Sequence, residues 1–160
     1  MGTRADFYVG RGDKAEWIGS IAWDGYPEPY VNKGLFSDGD EATWRKRVAD
    51  FLATRDDATQ VADGWPWPWE DSGTTDWSYT LDDGVVYCSC FGRAWLPVTE
   101  YLAKQAAYVK AEKAYEAGQS EDAPNEDWWD EISPKAKHPN MKAIQNVTLG
   151  KRSGVIIMGG

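Results

Sequence analysis

The run Trp65-Pro66-Trp67-Pro68-Trp69 restricts the possible folds of this chain more than any other stretch. Each proline fixes φ and removes a backbone N–H, so the segment can be neither a regular helix nor a central strand. Residues 61–75 are therefore expected to form an extended, polyproline-like loop that carries Trp65, Trp67 and Trp69. A stiff loop has little entropy left to lose on meeting a partner, and flat aromatics make good anchors. Asp63, Glu70 and Asp71 surround the indoles, and an aromatic centre with an acidic rim suits a basic protein surface. The competing expectation is that the three indoles fold inward to cover a sheet, because large exposed apolar patches are uncommon on monomers.

The flanking sequence supplies that sheet. Ala5, Phe7 and Val9 alternate with Asp6 and Tyr8 over residues 4–10, the period of a strand. A glycine turn at 10–13 leads into a second strand over 17–23, giving a hairpin. A helix is expected to start at 37–40, where Asp38, Asp40 and Glu41 suit the positive end of its dipole. Trp44, Val48, Phe51 and Leu52 then share one helical face. Residues 76–91 form the clearest hairpin, turned by Asp82-Asp83-Gly84. Pro97 opens a second long helix over 98–117, with Tyr101, Leu102, Ala106, Tyr108 and Val109 as its expected buried stripe, and Gly118 ends it. A last hairpin is expected from 143–149 and 155–158, turned by 150–154. This order predicts an α+β fold, an antiparallel sheet built from hairpins with two helices packed on one face. With 160 residues and ten Trp, one domain spanning 1–160 can bury a single aromatic-rich core.

The formal charge of −9 disfavours nonspecific binding to nucleic acid or to an anionic membrane. It favours a protein or nucleoprotein complex with a basic surface, such as a groove that normally holds nucleic acid. Asp82 and Asp83 join Trp65, Trp67, Trp69, Glu70 and Asp71 as candidate partner-binding residues. Residues 119–134 hold six acids and no base, and are expected to be a mobile acidic loop pinned by Trp128 and Trp129. Residues 135–160 hold five bases and no acid, so the chain has an acidic middle and a basic tail. The opening residues contain no apolar signal region, and no apolar run reaches the length of a membrane span. The expected compartment is the cytoplasm.

Catalytic chemistry is not visible. The one histidine, His138, precedes Pro139 and has no identifiable nucleophile or orienting partner. Cys88-Ser89-Cys90 lacks the further ligands a zinc site needs, and reads as small residues in a strand. Residues 150–154, Gly-Lys-Arg-Ser-Gly, misplace the lysine and serine of a phosphate loop. Arg11-Gly12-Asp13 reads as turn chemistry. No metal and no cofactor are expected. Two other readings stay open. In one, indoles stack a nucleotide signal while Arg11, Arg93, Lys151 and Arg152 meet its phosphate. In the other, paired carboxylates among Asp71, Asp76, Asp82 and Asp83 act as a hydrolase.

Three stretches carry a resemblance. They are Gly2-Thr3-Arg4-Ala5-Asp6-Phe7-Tyr8-Val9-Gly10-Arg11-Gly12 with Trp17-Ile18-Gly19-Ser20-Ile21-Ala22-Trp23-Asp24-Gly25-Tyr26-Pro27, then Tyr79-Thr80-Leu81-Asp82-Asp83-Gly84-Val85-Val86-Tyr87 with Cys90-Phe91-Gly92, and Pro139-Asn140-Met141 with Gln145-Asn146-Val147-Thr148-Leu149-Gly150. Together they resemble a group of small, largely uncharacterised accessory proteins of tailed bacteriophages and prophages. The resemblance implies a setting, the cytoplasm of a bacterial host, and supplies no functional residues. In that setting the expected role is an anti-defence protein that inhibits a host immune complex, such as a CRISPR-type effector, by direct binding.

Overall fold

The computed structural model describes residues 2–12, 15–69 and 71–133. The expected last hairpin, His138, Lys151 and Arg152 lie outside the described residues, as does Glu70. The elements are β1 (Ala5–Val9), β2 (Glu16–Ile21), α1 (Glu41–Ala53), β3 (Ala58–Thr59), β4 (Trp77–Asp82), β5 (Val85–Cys90), β6 (Leu96–Pro97), α2 (Val98–Glu116) and α3 (Trp128–Ile132). The class is α+β, built on one six-stranded sheet in the order β3-β2-β1-β4-β5-β6.

Two antiparallel hairpins, β1–β2 and β4–β5, lie side by side with their first strands together. Those first strands run parallel, Ala5 beside Trp77 through Val9 beside Leu81, so the sheet is mixed and only mostly antiparallel. The reason lies in the connection. The long stretch between the hairpins, which contains α1, is enough for the crossover that parallel neighbours require.

Alternation along β1 divides the sheet into two unlike faces. Ala5, Phe7 and Val9 point to one side, with Ile21, Trp77, Tyr79, Leu81, Val86 and Cys88. Trp44, Val48 and Leu52 of α1 and Val98 and Tyr101 of α2 cover this side and complete the main core. Gly19 makes room for α1: an added Cβ would stand 2.3 Å from Leu52 Cδ1, at a φ of +145°. Asp40 caps α1 by accepting the Thr43 N–H at 2.7 Å. The edge strands β3 and β6 are two residues each, a length that gives a passing chain little to pair with. The Val86 N–H beyond β6 is taken by Asp38 at 3.0 Å.

The stripe expected on α2 is mostly not buried. Val98 and Tyr101 are covered, Leu102, Tyr108 and Val109 are half-buried, and Ala106 is exposed. The helix is 19 residues long, roughly 28 Å at 1.5 Å per residue, and only its first turns face the sheet. Alanine-rich periodicity marked the helix but not the point where the sheet beneath it stops. The acidic segment after α2 is anchored at its far end. Trp128 and Trp129 pack on the core beside Tyr101, with centroids 6.0 and 4.9 Å away. Arg93 is ion-paired with Asp130.

Candidate binding surface

The second face of the sheet carries the Trp-Pro segment. Arg4, Asp6 and Tyr8 project to this side, two residues apart, and the three tryptophans repeat at the same interval. The segment runs antiparallel over β1 as a strap. Trp65 packs with Tyr8, Ala15 and Trp17, its ring edge-on to Trp17 at 5.3 Å. Trp67 Nε1 donates to Asp6 Oδ1 at 2.7 Å. Trp69 lies under the Arg4 guanidinium, 5.4 Å from ring centroid to Cζ, and Arg4 is 5.5 Å from Trp67 as well. The Trp67 and Trp69 rings stack on each other, 5.6 Å apart and inclined by 19°.

All three indole N–H groups are satisfied inside the protein. Trp65 Nε1 donates to the Trp69 carbonyl at 2.6 Å, and Trp69 Nε1 donates to Thr75 Oγ1 at 3.0 Å. The rings themselves are half-buried. The two expectations for this loop therefore meet halfway. The indoles do cover the sheet, on the face away from the helices, and they keep part of their apolar surface in solvent.

At the level of Asp6 this face of the sheet is a row of small polar residues. Ser20, Asp6, Ser78 and Ser89 stand side by side across four strands, all fully buried. Asp6 is the hub of this row. Ser20 Oγ donates to its Oδ1 at 2.5 Å and Ser72 Oγ to its Oδ2 at 2.6 Å, and Thr75 adds a further side-chain hydrogen bond. Ser72 Oγ also shares a hydrogen bond with the Tyr8 hydroxyl at 2.8 Å. Burial pushes the Asp6 carboxyl above its usual value of 3.8, against the downward pull of the hydrogen bonds from Ser20, Ser72, Trp67 and Thr75.

The remaining candidate residues are spread out. Asp71 is half-buried and accepts the Gly73 N–H at 2.7 Å, a turn-forming role. Asp82 and Asp83 are at the far end of β4, where Arg11 Nε donates to Asp82 Oδ2 at 2.8 Å and the Arg11 guanidinium lies 3.9 Å from the Tyr87 ring centroid. They border an open groove of about 530 Å³, shared with Glu16, Glu41 and Arg45. Asp83 is exposed in the turn at φ +50°. Arg93 is at the opposite end of the sheet, held by Asp130 and by the Ser133 carbonyl. Arg11 and Arg93 thus do not converge on one ligand.

No family model, curated protein or solved structure matches this chain.

The hub residue was missed by sequence reasoning. Asp6 counted only as a polar position in the alternation of β1. The available signal was that a strand rich enough in Ala, Phe and Val to be central also carried Arg, Asp and Tyr on its other side, which needs a polar cover. Phe91 is a second surprise: it is 56% exposed and holds φ +50°, a conformation uncommon for a bulky side chain. Its N–H donates to the Asp76 carbonyl at 3.2 Å, beside the Arg4 end of the strap. Nucleophilic chemistry finds no support at the cysteines. Burial pushes the Cys88 thiol far up and Cys90 to about 11. Among the described residues no group of acids, cysteines and histidines could hold a metal ion, and no helix is long and apolar enough to cross a membrane.

Proposed function

We propose that this protein works by binding. The half-exposed indole faces of the strap, set in an acidic protein, are pressed against a basic surface of a protein or nucleoprotein partner. The observation that carries this reading is the fixing of all three indole N–H groups inside the fold. What remains outward is flat, apolar and held in place before any partner arrives, so little ordering entropy opposes association. The net charge of −9 steers such a surface toward basic partners. Taken with the resemblance to phage accessory proteins, the partner proposed is a host defence complex whose basic groove normally holds nucleic acid. The nucleotide reading gains nothing from two arginines at opposite ends of the sheet. The hydrolase reading gains little from an Asp6 sealed beneath the strap.

The test is association with purified CRISPR-type effector complexes at increasing salt. A complex that weakens as salt rises, and that Trp69→Ala weakens by at least about tenfold while the circular dichroism is unchanged, is the expected result. No salt-sensitive association with any basic nucleoprotein would contradict it.

A further inference from the structure

A buried carboxylate with no cation against it is costly to keep charged, and among the described residues Asp6 meets hydrogen-bond donors and no cation. On its own strand and face, Arg4 has its guanidinium over Trp67 and Trp69 and 3.8 Å from Asp76, while Tyr8 reaches Ser72. From β2 comes Ser20, and β4 presents Ser78 at the same level. From the strap and the turn after it come Trp67, Ser72 and Thr75, with Asp71 turned to the Gly73 N–H. The hydrogen bonds Asp6 accepts thus come from neutral groups, and Trp67, Ser72 and Thr75 among them belong to the strap and its turn. Whatever happens to its proton is felt by the segment it holds.

We propose that Asp6 is a proton-operated latch on the tryptophan strap, holding Trp67 and Ser72 against the sheet when protonated and loosening them when ionised. In the protonated state Oδ1 still accepts from Ser20 and Trp67. The carboxyl proton is donated from Oδ2 to Ser72 Oγ, the Ser72 proton turns to the Tyr8 oxygen, and Tyr8 changes from donor to acceptor in that pair. In the ionised state the same cluster must bury a full charge. Because closure holds the pKa above 3.8, the latch is fully set below that pH and is lost as pH rises through the higher, folded-state value. Each unit by which closure raises the pKa makes opening about tenfold easier above it. The inference rests on the reading of the strap as the binding surface only for its consequence, that partner affinity follows pH. The latch itself is measured without a partner, so either idea can fail alone.

The experiment is amide hydrogen exchange of residues 64–75 in the full chain across pH, corrected for intrinsic rates, with Asp6→Asn alongside. Asparagine keeps the Oδ1 acceptor and donates to Ser72, imitating the protonated acid. The expected result is protection that is lost with rising pH in the native chain and stays at its low-pH level in Asp6→Asn. Identical pH profiles for the two chains, or a strap that loosens on acidification, would overturn the proposal. If Asp6→Asn does not fold, carbon-detected NMR titration of the Asp6 carboxyl in the native chain decides. A midpoint above that of an ordinary aspartate supports the latch, and one at or below it removes the latch.

Discussion

The Asp57 carboxylate, whose side chain is 1% exposed, shows the other way this protein accommodates a buried acid. It accepts the backbone N–H groups of Ala22 and Trp23 at 3.0 and 2.9 Å. Arg55 grips it with Nε at 2.7 Å and Nη2 at 2.9 Å while also donating to Tyr30 and to the Trp23 carbonyl. Burial pushes this carboxyl up, but Arg55 and the two backbone donors outweigh it, and the net shift is below 3.8. Its contribution to stability is therefore complete above 3.8 and is lost as pH falls through the lower folded value, opposite in sign to that of Asp6. Asp57→Ala is expected to cost about 2 kcal/mol at neutral pH, since it removes the carboxylate from a half-buried Arg55 and the acceptor from two backbone N–H groups. Urea unfolding of both chains checks this, and the difference should shrink in strong acid. Gly19→Ala is a steric counterpart. A methyl group 2.3 Å from Leu52 Cδ1, on backbone at φ +145°, is expected to cost about 2 kcal/mol or more, seen as a lower urea midpoint with unchanged slope.

At the level of elements, the strap depends on its prolines more than on its length. Replacing Pro66 and Pro68 together by alanine adds freedom to the unfolded chain and to the open loop, and is expected to lose about 1–2 kcal/mol in total. Thermal unfolding measures it, and hydrogen exchange should place the loosening in residues 64–75. Arg93→Ala removes the contacts to Asp130 and to the Ser133 carbonyl, and is expected to raise exchange in residues 128–133 while β4 and β5 keep their protection. The elements themselves were legible where one local rule governs them. Asp40 at the start of α1, the period of Trp44, Val48 and Leu52, and the Asp83-Gly84 turn each specify their structure within a few residues. The β1–β4 pairing was not legible, because alternation says that a strand exists and not which strand lies beside it. Nor was the direction in which the strap folds, which depends on Arg4, Asp6 and Tyr8 lying some sixty residues earlier in the chain.

Across the whole molecule, much of the acidity is engaged in structure. Asp76 pairs with Arg4, Asp82 with Arg11, and Asp38, Asp40, Asp57 and Asp71 each accept a backbone N–H. The bridges from Arg45 to Glu16 and Glu41 are solvent-exposed and are worth little individually. A charge count alone therefore overstates what is left to attract a partner, and the recognition argument rests on the indoles as much as on the charge. Aromatic content was informative at this scale. Trp17 and Trp44 are fully buried, while the strap rings stay half-covered, a division of labour that composition alone does not reveal. The most direct test is the NMR spectrum of the Trp65, Trp67 and Trp69 side chains with a neutral paramagnetic cosolute. Indole N–H protons that exchange slowly, on rings whose carbon-bound protons are broadened by the cosolute, are the predicted result. N–H protons exchanging as freely as in tryptophan itself, or rings that the cosolute never reaches, would contradict the account.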